Sequence, residues 1–133
     1  MNDAPLIVAL PTADRQVAYA FYKDGLGFEP TGEPGDDGVP EPLQFVLNDG
    51  VRLMFIPTGG FGWVTGDHET AAPGTSEVLL SRGADGPAEV DVMIERARGA
   101  GARIVSEPEL KPWGYTGTFA DPDGHLWEVI ATI

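Results

Sequence analysis

The sequence predicts an α+β fold made of two copies of a strand–helix–strand–strand–strand unit. Three observations carry this. Apolar runs of strand length alternate with stretches of helical periodicity. With 18 Gly and 12 Pro among 133 residues, the elements must be short and the turns many. The pattern also restarts: Gly25 and Gly27 recur as Gly99 and Gly101, at the same offset that carries Asp49-Gly50 onto Asp123-Gly124. One copy is too small to bury its helix and sheet alone, so the two copies are expected to share a core. The expected layout is a single domain over 1–133, with module 1 at about 4–57, a linker loop at 58–75 and module 2 at about 76–132.

The elements follow in order. Leu6-Ile7-Val8-Ala9-Leu10 is an apolar run ended by Pro11 and reads as a buried strand. Thr12 or Asp14 can then cap a helix whose Val17, Ala18, Phe21 and Tyr22 fall at helical spacing, with Gly25 and Gly27 at its end. Phe28 to Thr31 can form a strand, and Gly32 to Pro42, rich in Gly, Pro and acids, reads as a solvated loop. Leu43 to Leu47 and Val51 to Pro57 read as strands joined by the hairpin signal Asn48-Asp49-Gly50. Thr58 to Thr75 is glycine-rich and loop-like, and carries Phe61, Trp63 and His68. The second copy reads as a strand at Glu77 to Ser81 and a helix at Pro87 to Ala100 with the stripe Val90, Met93, Ile94, Ala97. Strands are then expected at Arg103 to Val105, Tyr115 to Ala120 and His125 to Thr132, the last two joined by Asp121-Pro122-Asp123-Gly124.

Charge excludes several functions. Eight Lys and Arg stand against 21 Asp and Glu, a formal charge of −13. Nucleic-acid binding needs clustered cations, and so does docking on anionic membranes, so neither partner is expected. With no Cys there are no disulfides, thiolate metal sites or cysteine nucleophiles, and two histidines, His68 and His125, leave little for an imidazole site. The opening Met1-Asn2-Asp3-Ala4-Pro5 lacks the basic and apolar regions of a signal peptide. No apolar run approaches the roughly 18 residues of a transmembrane helix. A soluble, cytoplasmic protein is expected.

Two stretches resemble a known family. Phe21-Tyr22-Lys23-Asp24-Gly25-Leu26-Gly27-Phe28 is similar to a helix exit, and Tyr115 to Glu128, through Asp121-Pro122-Asp123-Gly124-His125, to a closing hairpin, of the vicinal oxygen chelate superfamily. That superfamily includes glyoxalase I, bleomycin-resistance proteins and extradiol dioxygenases. With the repeat, the likeness covers nearly the whole chain. It implies two βαβββ modules whose mixed sheets curl around a cup, and it leaves the chemistry open, because one fold hosts many functions.

In metal-using relatives the ligands come from one position on the first strand and one on the last strand of each module. The resemblance sets these four positions at Ile7, Met54, Glu77 and Glu128. Ile7 has no donor atom and a Met thioether is a poor ligand for Zn, Ni, Mg or Fe(II), so no metal and no other cofactor is expected. Glu128 reads either as a functional acid in the cup or as a residue kept because the hairpin meets water. Glu77 reads as a cup acid or as a solvated acid at a strand edge. Trp63, Trp113 and Tyr115 could form aromatic walls for a planar or cationic ligand, or fill ordinary core. Asp121, Asp123 and Gly124 are expected to serve the turn, and Trp127, alternating with Glu128, to pack under a helix.

Two functions compete. The first is a metal-free small-molecule binding protein of the bleomycin-resistance type, holding a cationic or aromatic ligand among Ile7, Met54, Trp63, Glu77, Trp113, Tyr115 and Glu128. The second is a glyoxalase-like lyase or isomerase with Glu128 as metal ligand or general base. A third, an acidic interaction module without a ligand, has no positive feature in the sequence. The resemblance also implies a homodimer, and the apolar strands Leu6 to Leu10 and Glu77 to Leu80 would gain from having their edges covered.

Overall fold

The computed structural model describes residues 4–132. Residues up to Thr70 and residues from Ala71 onward form two compact units. Each contains a four-stranded mixed sheet that stays open.

In the first unit, strand β1 (Leu6–Thr12) lies parallel to β4 (Val51–Pro57), and β4 is antiparallel to β3 (Leu43–Asn48). The two-residue β2 (Glu29–Pro30) completes the order β1-β4-β3-β2. Period-2 alternation sorts the side chains between the two faces. Leu43, Phe45, Leu53 and Phe55 are buried on one face, while Gln44, Val46, Met54 and Ile56 are half-buried on the other. The buried face is covered by α1 (Arg15–Ala20) and its continuation as a wider π-type turn, Phe21–Gly25. Tyr22 is fully buried, its ring centroid 4.9 Å from that of Phe55 and 5.7 Å from that of Phe45.

Of the two capping candidates, Asp14 caps the helix. Its Oδ1 accepts the backbone N–H of Gln16 at 2.9 Å and of Val17 at 3.2 Å, satisfying two of the donors a helix start leaves open.

Three expectations change in this unit. Pro11 does not end β1 but sits in its ladder opposite Ile56. β1 is outermost in its sheet, so a residue without an N–H is tolerated there. The Gly32 to Pro42 segment is not wholly solvated, because Val39 and Pro40 are buried. Arg15 pins it by donating to Asp37 Oδ2 at 2.9 Å and to the Pro40 carbonyl. The expected linker loop over 58–75 begins with a helix, α2 (Thr58–Thr65). Three glycines within it lower its intrinsic helicity, which hid it in the sequence. The Thr58 hydroxyl fastens its start by donating to the Thr12 carbonyl at 3.1 Å.

The second unit repeats the plan. Strand β5 (Leu79–Gly83) is parallel to β8 (Leu126–Ala131), which pairs antiparallel with β7 (Gly114–Ala120), and β7 with β6 (Arg103–Lys111). Helix α3 (Pro87–Gly99) starts with Pro and carries Arg96 and Arg98 in its last turn, where cations suit the helix dipole. It buries Val90, Ile94 and Ala97 against the sheet. Trp127 does pack inside, stacked on Phe119 with centroids 6.3 Å apart. The first strand starts at Leu79 rather than Glu77, because pairing begins where Leu79 meets Leu126. β6 runs well past Val105, with irregular register that pattern reading does not capture.

Helix α3 packs tightly on β7 at Gly117. A Cβ there would lie 2.8 Å from Ile94 Cγ1 and 3.0 Å from its Cδ1, and Ile94 is fully buried. We therefore expect Gly117→Ala to lose about 1–3 kcal/mol from overpacking, read as a lower urea midpoint at unchanged slope. Gly83→Ala, with open space around it, should be neutral or gain up to about 1 kcal/mol. Equal midpoints for both variants would show that Gly117 is not a packing constraint.

Candidate functional site

Strand β8 divides its side chains cleanly. Trp127, Val129 and Ala131 are buried toward the core, and Leu126, Glu128 and Ile130 are half-buried on the other face. Glu128 thus stands on the sheet face opposite the helix, level with Ser81 on β5 and Thr118 on β7. Ser81 Oγ donates to Glu128 Oε1 at 2.7 Å, and Thr116 Oγ1 donates to Oε2 at 3.1 Å. Thr116 is buried, Glu128 half-buried and Ser81 exposed. One carboxylate held by two hydroxyls is the best-formed polar constellation on this face. Leu126 and Ile130 flank it along β8, and Leu79 pairs with Leu126.

The matching row of the first unit carries different chemistry. Met54 lies opposite Ala9 and Gln44, as Glu128 lies opposite Ser81 and Thr118. The Gln44 amide nitrogen is 3.8 Å from the Met54 sulfur. Ile7 is 45 % exposed on the same face, opposite Arg52, one step along from the Met54 row.

The ladders reassign one of the sequence-derived positions. Glu77 is exposed and precedes β5, so it does not stand beside Glu128. The residue that does is Ser81, which the sequence reading missed together with Thr116. Thr116 shares its face with Thr118, two residues on along β7, so period-2 reading from Thr118 would have reached it. Ser81 becomes visible only once the parallel register is known.

Tyr115 lies on the face opposite Glu128. It shares the helix side of β7 with Gly117, and its hydroxyl donates to Asp91 Oδ1 of α3 at 2.7 Å. That hydrogen bond to Asp91 is the main cause, ahead of burial, that pushes the phenol above its ordinary value. Trp113 is 58 % exposed in the turn between β6 and β7. Five residues of extended chain place its backbone about 16 Å along the strand from Thr118, the ladder partner of Glu128. Trp63 is 87 % exposed on α2, in the first unit.

Among the described residues, one group of three metal-capable side chains lies together: Asp121, Asp123 and His125, with ligand atoms within 4.8 Å of one another. Asp121 Oδ1 accepts the backbone N–H of Asp123 at 2.9 Å and of His125 at 2.8 Å, and Gly124 takes a φ of 90°. These are the marks of an Asx-type turn that joins β7 to β8.

Residues 6–129 match the family described as the Glyoxalase/Bleomycin resistance protein/Dioxygenase superfamily. A search among curated proteins gives no match. Among solved structures, a glyoxalase-related enzyme from Fulvimarina pelagi superposes with a TM-score of 0.81 at 26 % identity, over 96 % of this chain and 86 % of that one. A hypothetical protein from S. aureus gives 0.80 at 23 % identity, over 98 % and 94 %. TnmS3, an antibiotic binding protein from Streptomyces, gives 0.68 at 23 % identity, over 97 % and 95 %.

The Tyr115–Asp91 bond sets a pH test. A phenol whose pKa is raised by folding adds stability that is complete below its ordinary value of about 10 and is lost as pH rises through the folded value. We expect Tyr115→Phe to be less stable than the parent at neutral pH, with the difference disappearing in strong alkali. The ultraviolet titration should lose one phenol that titrates above its ordinary value in this variant. A stability difference that stays constant through alkaline pH would contradict the assignment.

Proposed function

This chain belongs to the Glyoxalase/Bleomycin resistance protein/Dioxygenase superfamily, and within it we propose a protein that binds a small organic molecule without using a metal. The observation that carries this is the donor chemistry at the positions where metal-using relatives hold their ligands. Ile7 offers no donor and Met54 a thioether, and Glu77 stands outside its strand. Glu128 is then the one hard donor, and both its oxygens accept hydroxyl hydrogen bonds. One carboxylate held by two hydroxyls does not suit Zn, Ni or Fe(II), which want imidazole, thiolate or several carboxylates. Residues of this kind suit an organic ligand better: a charged anchor beside apolar side chains. The fold supports such a role, since TnmS3, which shares it, is an antibiotic binding protein.

Within the second unit the proposed contacts are Glu128 with Ser81 and Thr116 and the exposed ring of Trp113; within the first unit, taken by itself, they are Ile7, Met54 and the exposed ring of Trp63. A lyase or isomerase with Glu128 as base is the second reading, favoured by the description of the Fulvimarina relative as a glyoxalase-related enzyme. We also propose that the chain works as a cytoplasmic homodimer.

Two measurements test these readings. Elemental analysis of the purified protein should find no stoichiometric transition metal, and a panel of cationic and aromatic compounds should raise Tm. Saturation at 100 times Kd is worth about 2.7 kcal/mol, a rise on the order of 10 °C. Stoichiometric Ni, Zn or Fe that disappears in Glu128→Ala would instead favour the lyase reading. Sedimentation at micromolar concentration should show a dimer that tightens as salt rises, because −13 charges per chain repel. A monomer at both low and moderate salt would overturn the dimer.

A further inference from the structure

We infer that the Glu128 patch recognises an ammonium group that retains its N–H bonds and is carried on an apolar body. This rests on the small-molecule reading above and names the chemical class of the ligand. An ionised carboxylate only accepts hydrogen bonds, and a hydroxyl has one proton to give. Ser81 and Thr116 both give theirs to Glu128, at 2.7 Å and 3.1 Å. What the half-buried carboxylate and the exposed Ser81 can still offer a ligand is lone pairs: those remaining on the carboxylate oxygens and those on the Ser81 hydroxyl oxygen. Thr118, the ladder partner of Glu128, adds a further hydroxyl oxygen on the same face.

A cluster of acceptors around one negative charge is complementary to a group with several donors and a positive charge. A primary ammonium has three N–H donors. A quaternary ammonium keeps the charge but brings no donor, and an alcohol brings one donor and no charge. A site built for hydrogen-bond donors discriminates strongly against an analogue that lacks them.

The flanks define the rest of the ligand. Leu126 and Ile130 lie two residues to either side of Glu128 on the same face, about 7 Å along the strand. Leu79, 50 % exposed, pairs with Leu126. A chain of about six carbons attached to the ammonium spans the distance from the carboxylate to these side chains. Ser81 and Thr116 are then positioning residues that hold the carboxylate in one orientation.

The test is a backbone-amide NMR titration of the full chain with hexylammonium, hexyltrimethylammonium and hexanol. Hexylammonium should shift the amides of Ser81, Thr116 and Glu128 and bind at least about 10-fold tighter than either analogue. Glu128→Gln should weaken it at least about 10-fold, since the amide loses the charge and adds donors of its own. Ser81→Ala, at an exposed position, should weaken hexylammonium about 2- to 10-fold and leave hexyltrimethylammonium unchanged. If Glu128→Gln fails to fold, the comparison of the two cations on the native chain decides. Equal affinities for both cations overturn donor recognition, as do shifts confined to residues away from this patch or no binding by any of the three. The broader small-molecule reading survives each of these results and fails only if the wider panel gives no thermal shift.

Discussion

In each unit one helix covers one face of one sheet, and every other feature of the chain is arranged around that contact. Tyr22 is closed in by Phe28, Phe45 and Phe55, and Ile94 presses on the bare backbone of Gly117. Burying a large apolar side chain stabilises the fold by about 1.5–3 kcal/mol. Moving a strand by one residue would turn its whole buried set toward the open face. Packing therefore locks the register, and the register decides which side chains are left for ligands. Glu128 faces away from the core because Trp127 and Val129 cannot.

The same constraint explains why the two copies of one plan differ in chemistry. Their core faces are bound by similar packing demands, with Leu53 and Phe55 buried in one and Trp127 and Val129 in the other. Their open faces carry no such demand. Met54 with Ala9 and Gln44 occupies the row that Glu128, Ser81 and Thr118 occupy in the second copy. The first row offers a soft sulfur and an amide, and the second an anion fixed by hydroxyls. The second unit's row therefore carries an anion, and the first unit's row carries none.

Holding a half-buried carboxylate costs desolvation, and hydrogen bonds from hydroxyls offset that cost locally. Ser81 and Thr116 supply such bonds without adding positive charge. The chain around them has a formal charge of −13. That field attracts cations over a long range.

Much of the architecture could be read from the residues. The repeat, the helix stripe Val90-Ile94-Ala97, the Asn48-Asp49-Gly50 hairpin and the Asp121 turn all arise from local spacing and turn chemistry, which act within a few residues of chain. Glu128 was reached through the family resemblance, whose closing hairpin sets an acid after the Asp121 turn. Its partners were not. Ser81 reaches Glu128 only through a parallel pairing between distant strands, and nothing within β5 states where that pairing begins; the start two residues later removed Glu77 and brought in Ser81. Tyr115 went to the helix side because Gly117, two residues on, must meet Ile94. Trp63 and Trp113 are exposed, one in each unit. Local physics determined the elements of this protein; long-range register, settled by packing of the cores, decided which of its polar side chains meet.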